Sequence, residues 1–364
     1  MRYAAFVSIR PASRALILLL ASVMPCVACS SGGSSAKPTV SASVVAVSAS
    51  PTKPAGKPSG GAGSLIISMP AGLVEYSIKN GTQKPLIKPD TDNTFLLDPA
   101  ISPDGKRLVY IVQPPPKIDA GKYDAGSDLW IANRDGSNPH PVFTHEQSNQ
   151  LIRFPQWQDN DTILVVMQEI APKNGVTTVS YVLNRLPAAG GARTRVLTDV
   201  LAFGLSPDGR RLAYARLAPQ TGESLESVGI DGANPAPLIA ASENLAPFNV
   251  PRYSPDGTKV AFASADQTGA RVASPEYVSV AGVGVSPAPP LDGLPEDIWT
   301  VDAAGGRPVR VADLKEDLPA LTWSGDGKHL YVIGSAGLYD VNVGTGAVDR
   351  LGEGAFHAQL VWVP

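Results

Sequence analysis

Side chains able to do acid–base, nucleophilic or metal chemistry are few in this chain and poorly grouped. Four histidines occur: His140, His145, His329 and His357. His140 and His145 stand five apart, a spacing two metal ligands could use. No His-Glu-x-x-His string accompanies them, and loop polarity accounts for the pair. Asp119, Asp124 and Asp128 lie on a Gly-containing loop and offer hard oxygen ligands of the kind that hold Ca2+. Their spacing is not that of an EF-hand. A serine nucleophile on an α/β-hydrolase scaffold needs a Gly-x-Ser-x-Gly elbow. The nearest strings, Gly284-Val285-Ser286-Pro287-Ala288 and Gly334-Ser335-Ala336-Gly337, do not form one. Both cysteines, Cys26 and Cys29, fall near the N-terminus. The rest of the chain therefore has no internal disulfide, no Cys-based zinc site and no catalytic thiol. The expectation is no catalytic residue, no metal and no cofactor.

The 364 residues carry 30 Lys and Arg against 33 Asp and Glu, a formal net charge of −3. No strong positive field exists to attract nucleic acid. Hydrophobic residues make up 43%, enough for a packed core. The 35 Gly and 34 Pro are spread along the whole chain and argue against a helical bundle, since both break helices. The first segment reads as an address. Arg2, Arg10 and Arg14 precede an apolar run, Ala15 to Met24, too short to span a bilayer. It ends in Pro25-Cys26-Val27-Ala28-Cys29. Small residues directly before a Cys resemble the bacterial lipobox, with Cys26 standing where Leu is usual. The resemblance implies that residues 1–28 are a lipoprotein signal peptide and that Cys29 carries the lipid. Residues 29–63 form a Ser-, Gly-, Pro- and Ala-rich linker with no aromatic and no acid. Such a segment cannot bury enough apolar surface to offset its ordering entropy. As a flexible coil it spans roughly 30 Å, and fully extended about 110 Å. The expected location is the cell envelope, on the outer face of the cytoplasmic membrane or the periplasmic side, with the membrane as one partner and the protein a monomer.

From Ser64 onward one pattern recurs. Its clear copies are Ser102-Pro103-Asp104-Gly105, Ser206-Pro207-Asp208-Gly209 and Ser254-Pro255-Asp256-Gly257. Ser324-Gly325-Asp326-Gly327 is altered and Gln158-Asp159-Asn160-Asp161 is eroded. Each follows a short apolar run and precedes another. Pro presets a turn and Asp-Gly closes it, so each unit reads as strand, tight turn, strand. A second set of Gly-type hairpin turns counts six: Asn80-Gly81, Asp135-Gly136, Gly190-Gly191, Asp231-Gly232, Gly305-Gly306 and Thr345-Gly346. Repeats of about 40–55 residues with four strands each indicate a propeller. Five turns of the first kind against six of the second are reconciled at the ends. The tail His357–Pro364 reads as a lone innermost strand. Ser64–Ser68, Gly72–Ile78 and Lys84–Ile87 read as second, third and fourth strands. Joined, they complete a sixth blade and remove the open edges. The fold expected is all-β: a six-bladed propeller of four-stranded blades over residues 64–364, its closing blade built from three N-terminal strands and one C-terminal strand.

The aromatic-Ser-Pro-Asp-Gly-x-x-Leu/Val-x-Phe/Tyr unit resembles the WD40-like repeat of TolB-type six-bladed β-propellers, over nearly all of Ser64 to Pro364. The same motif occurs in the propellers of prolyl-oligopeptidase-like peptidases and in many propeller lipoproteins. Where TolB carries an N-terminal α/β domain, this chain has only the low-complexity linker. Two connections between second and third strands are long, 113–127 and 265–296. Others are short: Glu169–Thr177, Leu217–Ser224 and Gly334–Gly337. Connections above about 12–15 residues are usually functional or disordered. The two expanded blades stand first and fourth among the full blades, opposite each other in a ring of six, and their loops share one face. Tyr123, Arg271 and Tyr277 on these loops suit binding anchors. The reading is a non-catalytic, lipid-anchored binding or scaffolding propeller for a protein, peptide or glycan. Alternatives are an envelope-assembly component acting like TolB and a lyase or glycan-acting enzyme using the propeller funnel.

Overall fold

The computed structural model describes residues 63–119, 122–173, 176–218, 222–240, 243–268, 294–353 and 359–364. In chain order the strands begin with β1 (Ser64–Met69), β2 (Gly72–Ser77) and β3 (Gln83–Ile87). The first full blade has β4 (Phe95–Ile101), β5 (Arg107–Gln113), β8 (Asp128–Asn133) and β9 (His140–Phe143). A small hairpin, β6 (Lys117–Asp119) and β7 (Lys122–Asp124), is inserted between its second and third strands. The second blade has β10 (Leu151–Trp157), β11 (Thr162–Lys173), β12 (Val176–Pro187) and β13 (Thr194–Thr198). The third has β14 (Val200–Leu205), β15 (Arg211–Ala218), β16 (Gly222–Gly229) and β17 (Ala236–Pro237). The fourth has β18 (Asn249–Tyr253), β19 (Lys259–Ser264), β20 (Glu296–Asp302) and β21 (Val309–Glu316). The fifth has β22 (Ala320–Trp323), β23 (His329–Ile333), β24 (Gly337–Asn342) and β25 (Val348–Glu353), and the chain ends with β26 (Leu360–Val363).

Six antiparallel four-stranded sheets result, and the closing sheet has the order β26-β1-β2-β3. Ser64 pairs with Val363 and Ile67 with Leu360, which is the closure read from the two chain ends. The inner strands β4, β10, β14, β18, β22 and β26 neighbour one another in that order and return to β4. The ring is therefore closed and has no free blade edge at its seam.

The second strands are near-continuous apolar runs because both blade faces are covered there, whereas the outer strands β3, β13 and β25 are mostly exposed. In β5, Val109 and Ile111 pack toward the second blade with Ile163, Val165 and Met167. Leu108 and Tyr110 point the other way, to Ile66 and Leu73 of the closing blade. The same alternation fills each of the six seams with one apolar cluster. Trp157 on β10 donates its Nε1–H to Ala100 O on β4 at 3.1 Å, and Trp323 on β22 donates to Arg252 O on β18 at 3.0 Å. These bonds let a large aromatic sit at a seam with its polar atom answered.

The Ser-Pro-Asp-Gly turn is built by its own side chains. Ser102 Oγ donates to Asp104 Oδ1 at 2.6 Å and accepts from Arg107 N at 2.9 Å. Asp104 Oδ1 accepts from Lys106 N at 3.0 Å. Gly105 has φ +72°, a conformation costly for a residue with a Cβ. The same Ser–Asp bond of 2.6 Å recurs at Ser206–Asp208, Ser254–Asp256 and Ser324–Asp326. The last keeps the bond although Gly325 replaces Pro, so Ser and Asp define the turn and Pro only presets it.

Two connections differ from the sequence expectation. The segment 169–177, read as a nine-residue loop, is mostly ladder: β11 and β12 pair from Thr162↔Pro187 to Lys173↔Val176. Asn174-Gly175 between them is the standard sequence signal for a tight hairpin. The second blade's two middle strands are therefore longer than read, and the connection between them is shorter. Similarly, β15 and β16 extend to Ala218↔Gly222 and take up most of 217–224.

Candidate functional site

Strand direction sorts the molecule into two faces. The Ser-Pro-Asp-Gly turns join first to second strands on one face. Second-to-third connections and the links between blades emerge on the other. Gly63 and Pro364 lie at the Ser64–Val363 end of the closing blade, hence on the turn face. The insertion hairpin β6–β7 lies on the opposite face, as do the end of β19 and the start of β20.

On that face β6 and β7 pair as Lys117↔Asp124, Ile118↔Tyr123 and Asp119↔Lys122. Alternation along a strand puts Asp124 on one side of the hairpin and Ile118 with Tyr123 on the other. Asp124 is turned toward the propeller. Its Oδ2 meets His145 Nε2 at 3.0 Å, and its Oδ1 accepts from Gly126 N at 2.9 Å and Asn149 N at 3.2 Å. Asn149 returns the grip: its Oδ1 accepts from Ala125 N at 3.1 Å and its Nδ2 donates to Tyr123 O at 3.3 Å. Ile118 and Tyr123 are left outward, 77% and 50% exposed. Ile118 and Tyr123 thus face solvent while Asp124, from the other side of the hairpin, is held against the propeller.

His145 also bonds Asp128 Oδ1, through Nδ1 at 2.7 Å, and its backbone N donates to the same oxygen at 3.0 Å. Both ring nitrogens thus face carboxylates. Burial works against the charged ring, but hydrogen bonds to Asp124 and Asp128 outweigh it and raise the His145 pKa. Burial likewise opposes ionisation of Asp124, yet Gly126 N–H, His145 and Asn149 N–H together lower its pKa. Of the three aspartates read as candidate Ca2+ ligands, Asp124 and Asp128 are therefore partners of an imidazole. Among the described residues no group of three or more His, Cys, Asp or Glu is arranged to hold a metal ion.

A second polar group sits among the inner strands. Buried Asp98 on β4 accepts Phe154 N at 3.0 Å and Gln359 N at 3.4 Å, and Arg153 Nε lies 3.7 Å from it. Arg252 on β18 donates to Gln359 Oε1 at 2.7 Å and to Phe203 O at 2.9 Å. Desolvation lowers the Arg252 pKa to about 10. This network ties the first, second, third, fourth and closing blades together around the axis. Its members were missed in the sequence, where a signal existed. Asp98-Pro99, Phe154-Pro155 and Val250-Pro251 stand at equal distances before the three turns that follow. The residue before Pro adopts positive φ in all three, +51°, +55° and +50°. Register shifts accompany them at Leu97/Ala100, Arg153/Gln156 and Asn249/Arg252. A non-Gly residue held there is strained, and the bulge frees Phe154 N–H to reach Asp98.

The other expected residues fall as follows. Tyr123 is an exposed residue of the hairpin; Cys29, Arg271, Tyr277 and His357 lie outside the described residues. His140 on β9 is exposed, its Nδ1 3.0 Å from Asn138 O. His329 meets buried Asp340 at 2.6 Å inside the fifth blade. Trp130 and Trp299 occupy equivalent places, opposite Tyr110 and Phe262.

No protein-family model matches the chain, and no curated protein matches it. Solved structures do. A TolB protein from Agrobacterium tumefaciens is similar over 84% of this chain and 100% of its own, at 17% identity and TM-score 0.50. The fold is that of a TolB-type six-bladed propeller. TolB from Acinetobacter baumannii is similar over 79% of this chain and 67% of its own, at 16% identity and TM-score 0.48. Oligogalacturonate lyase from Vibrio parahaemolyticus covers 77% of this chain with 71% of its own, at 12% identity and TM-score 0.43. At these identities the TolB-type likeness concerns the scaffold alone, because one propeller fold serves many unrelated functions.

Proposed function

We propose that this protein is a lipid-tethered, non-catalytic propeller of the cell envelope that binds a partner protein on the face opposite its tether. The observation that carries the reading is the hairpin β6–β7, which holds Ile118 and Tyr123 outward on a fixed base. An aromatic beside an aliphatic residue, both exposed on a rigid support, is the usual composition of a binding anchor. The direction of β1 supports the rest. A linker that joins the propeller at Ser64 leaves from the turn face, opposite the face that carries the hairpin. The TolB-type scaffold is compatible with an envelope protein that recognises other proteins.

Two experiments test the two halves of the proposal. Envelope extracts are passed over wild-type protein and the Ile118→Ala/Tyr123→Ala double variant. Loss of one strong anchor weakens binding by about thirtyfold, so a specific partner retained by the wild type is expected to wash off the variant. Equal retention by both would move the site off the hairpin. Separately, Cys29→Ser is expected to shift the protein from the membrane to the soluble fraction, and an uncleaved, membrane-bound variant would refute the anchor.

A further inference from the structure

We propose that His145 is an ionic latch whose loss of a proton loosens the hairpin β6–β7 from the propeller. The latch rests on hydrogen-bond geometry, and it stands whether or not the hairpin binds a partner.

The ring sits between two acids of different attachment. Asp128 begins β8 and is fixed in the blade by its pairing with Val112. Asp124 ends β7, on the inserted hairpin. Only the imidazolium has two N–H donors, so only the charged ring satisfies both carboxylates. A neutral ring keeps one. Asp128 is the better placed to retain it, since it lies 2.7 Å from Nδ1 and also holds the His145 backbone N–H at 3.0 Å. The proton is then lost from Nε2, whose lone pair is left facing Asp124 Oδ2 across 3.0 Å. Deprotonation thus acts on the hairpin and spares the blade. What remains for the hairpin is the reciprocal Asn149 grip, so the segment loosens while staying attached.

The surroundings favour this specialised role. A Cβ on Gly126 would come within 2.4 Å of the His145 ring, so the ring is seated where only glycine permits it. The remaining charged groups nearby belong to other pairings. Glu146, next to His145, pairs with Arg193 at 3.2 Å, and Arg193 also faces Glu169 at 3.4 Å. The sign follows from the raised His145 pKa: the latch is closed below the ordinary imidazole value of 6.5 and is lost as pH rises through the higher folded value. At the acid end it fails only when Asp124, whose pKa is lowered, takes up a proton.

Hydrogen exchange of the full-length protein, corrected for intrinsic rates, tests the latch in the peptide covering 113–128. Protection there is expected to fall several-fold between pH 6 and pH 9, with β20 and β21 unchanged. His145→Gln should give low, pH-independent protection in the same peptide. Proton NMR should place the His145 titration above 6.5 in the wild type and lower it in Asp124→Asn, a variant that keeps the ring and the fold. Constant protection across this range, or a His145 midpoint at or below 6.5, would overturn the proposal. A hairpin that loosens with pH yet binds no partner would refute the binding reading and leave the latch intact.

Discussion

The turn aspartates show how one carboxylate can define a motif. In Ser254-Pro255-Asp256-Gly257, bonds from Ser254 and then from the Thr258 backbone and hydroxyl pull the Asp256 pKa from 3.8 to about 2. Asp104, Asp208 and Asp326 shift the same way, each led by its Ser hydroxyl. Because the folded value lies below the unfolded one, the unfolded chain takes up protons first as pH falls. The stabilisation is therefore complete above the ordinary carboxylate range and is lost as pH falls toward 2. Asp256→Asn is expected to lower the urea midpoint at pH 7 and to flatten its decline between pH 5 and pH 2. Equilibrium unfolding at several pH values measures both. Asp98 has a different task, since it is buried and bonds backbone N–H groups of two other blades. Asp98→Ala strips the partner from Phe154 N–H and weakens the ring at one point, at a cost of about 3 kcal/mol.

Elements on the insertion face are held by more than their ladders. Residues at both ends of the fourth-blade insertion belong to the fold. Ala265 is buried and Gln267 Nε2 donates to Ala246 O at 2.8 Å. Glu296 is fully buried and accepts from Asn249 Nδ2 at 2.7 Å. A shortening from Ala265 to Glu296 would therefore remove core contacts. Replacing only 269–293 with a short Gly-rich link spares them. Loop closure depends weakly on length, so the melting temperature is expected to stay within a few degrees of wild type. Thermal unfolding by circular dichroism checks this. Binding of any partner found through Tyr123 then reports whether the second insertion shares the face.

Across the whole molecule, closure by β26 decides whether the ring is stable. Leu360 and Val363 are buried, and Trp362 packs with Leu65, Ile67 and Tyr331. Gln359 adds the bonds to Asp98 and Arg252. A chain ending at Ala355 loses all of these and exposes the β1 edge and two seams. Such an edge templates intermolecular pairing. Aggregation on expression, or a large fall in melting temperature for any soluble fraction, is the expected result. Light scattering and calorimetry of the truncated protein measure it.

Local chemistry carried the architecture in this sequence. Ser-Pro-Asp-Gly specifies its turn through bonds no more than five residues apart, so each repeat announces itself without the rest of the fold. The apolar runs between turns, and the unmatched strands at the two ends, then force a closed ring of six. The second-blade hairpin was also written locally, in Asn174-Gly175, and the repeated X-Pro pairs marked the bulges. The partners of Asp98, Arg252 and His145 were not written there. Asp98 meets Gln359 across 261 residues and Arg252 meets Gln359 across 107. His145 meets Asp124 only because the link after β9 returns beneath the inserted hairpin. A local turn is encoded by adjacent side chains. A polar contact between blades depends on the register and twist of every strand between them, and only the assembled ring sets those.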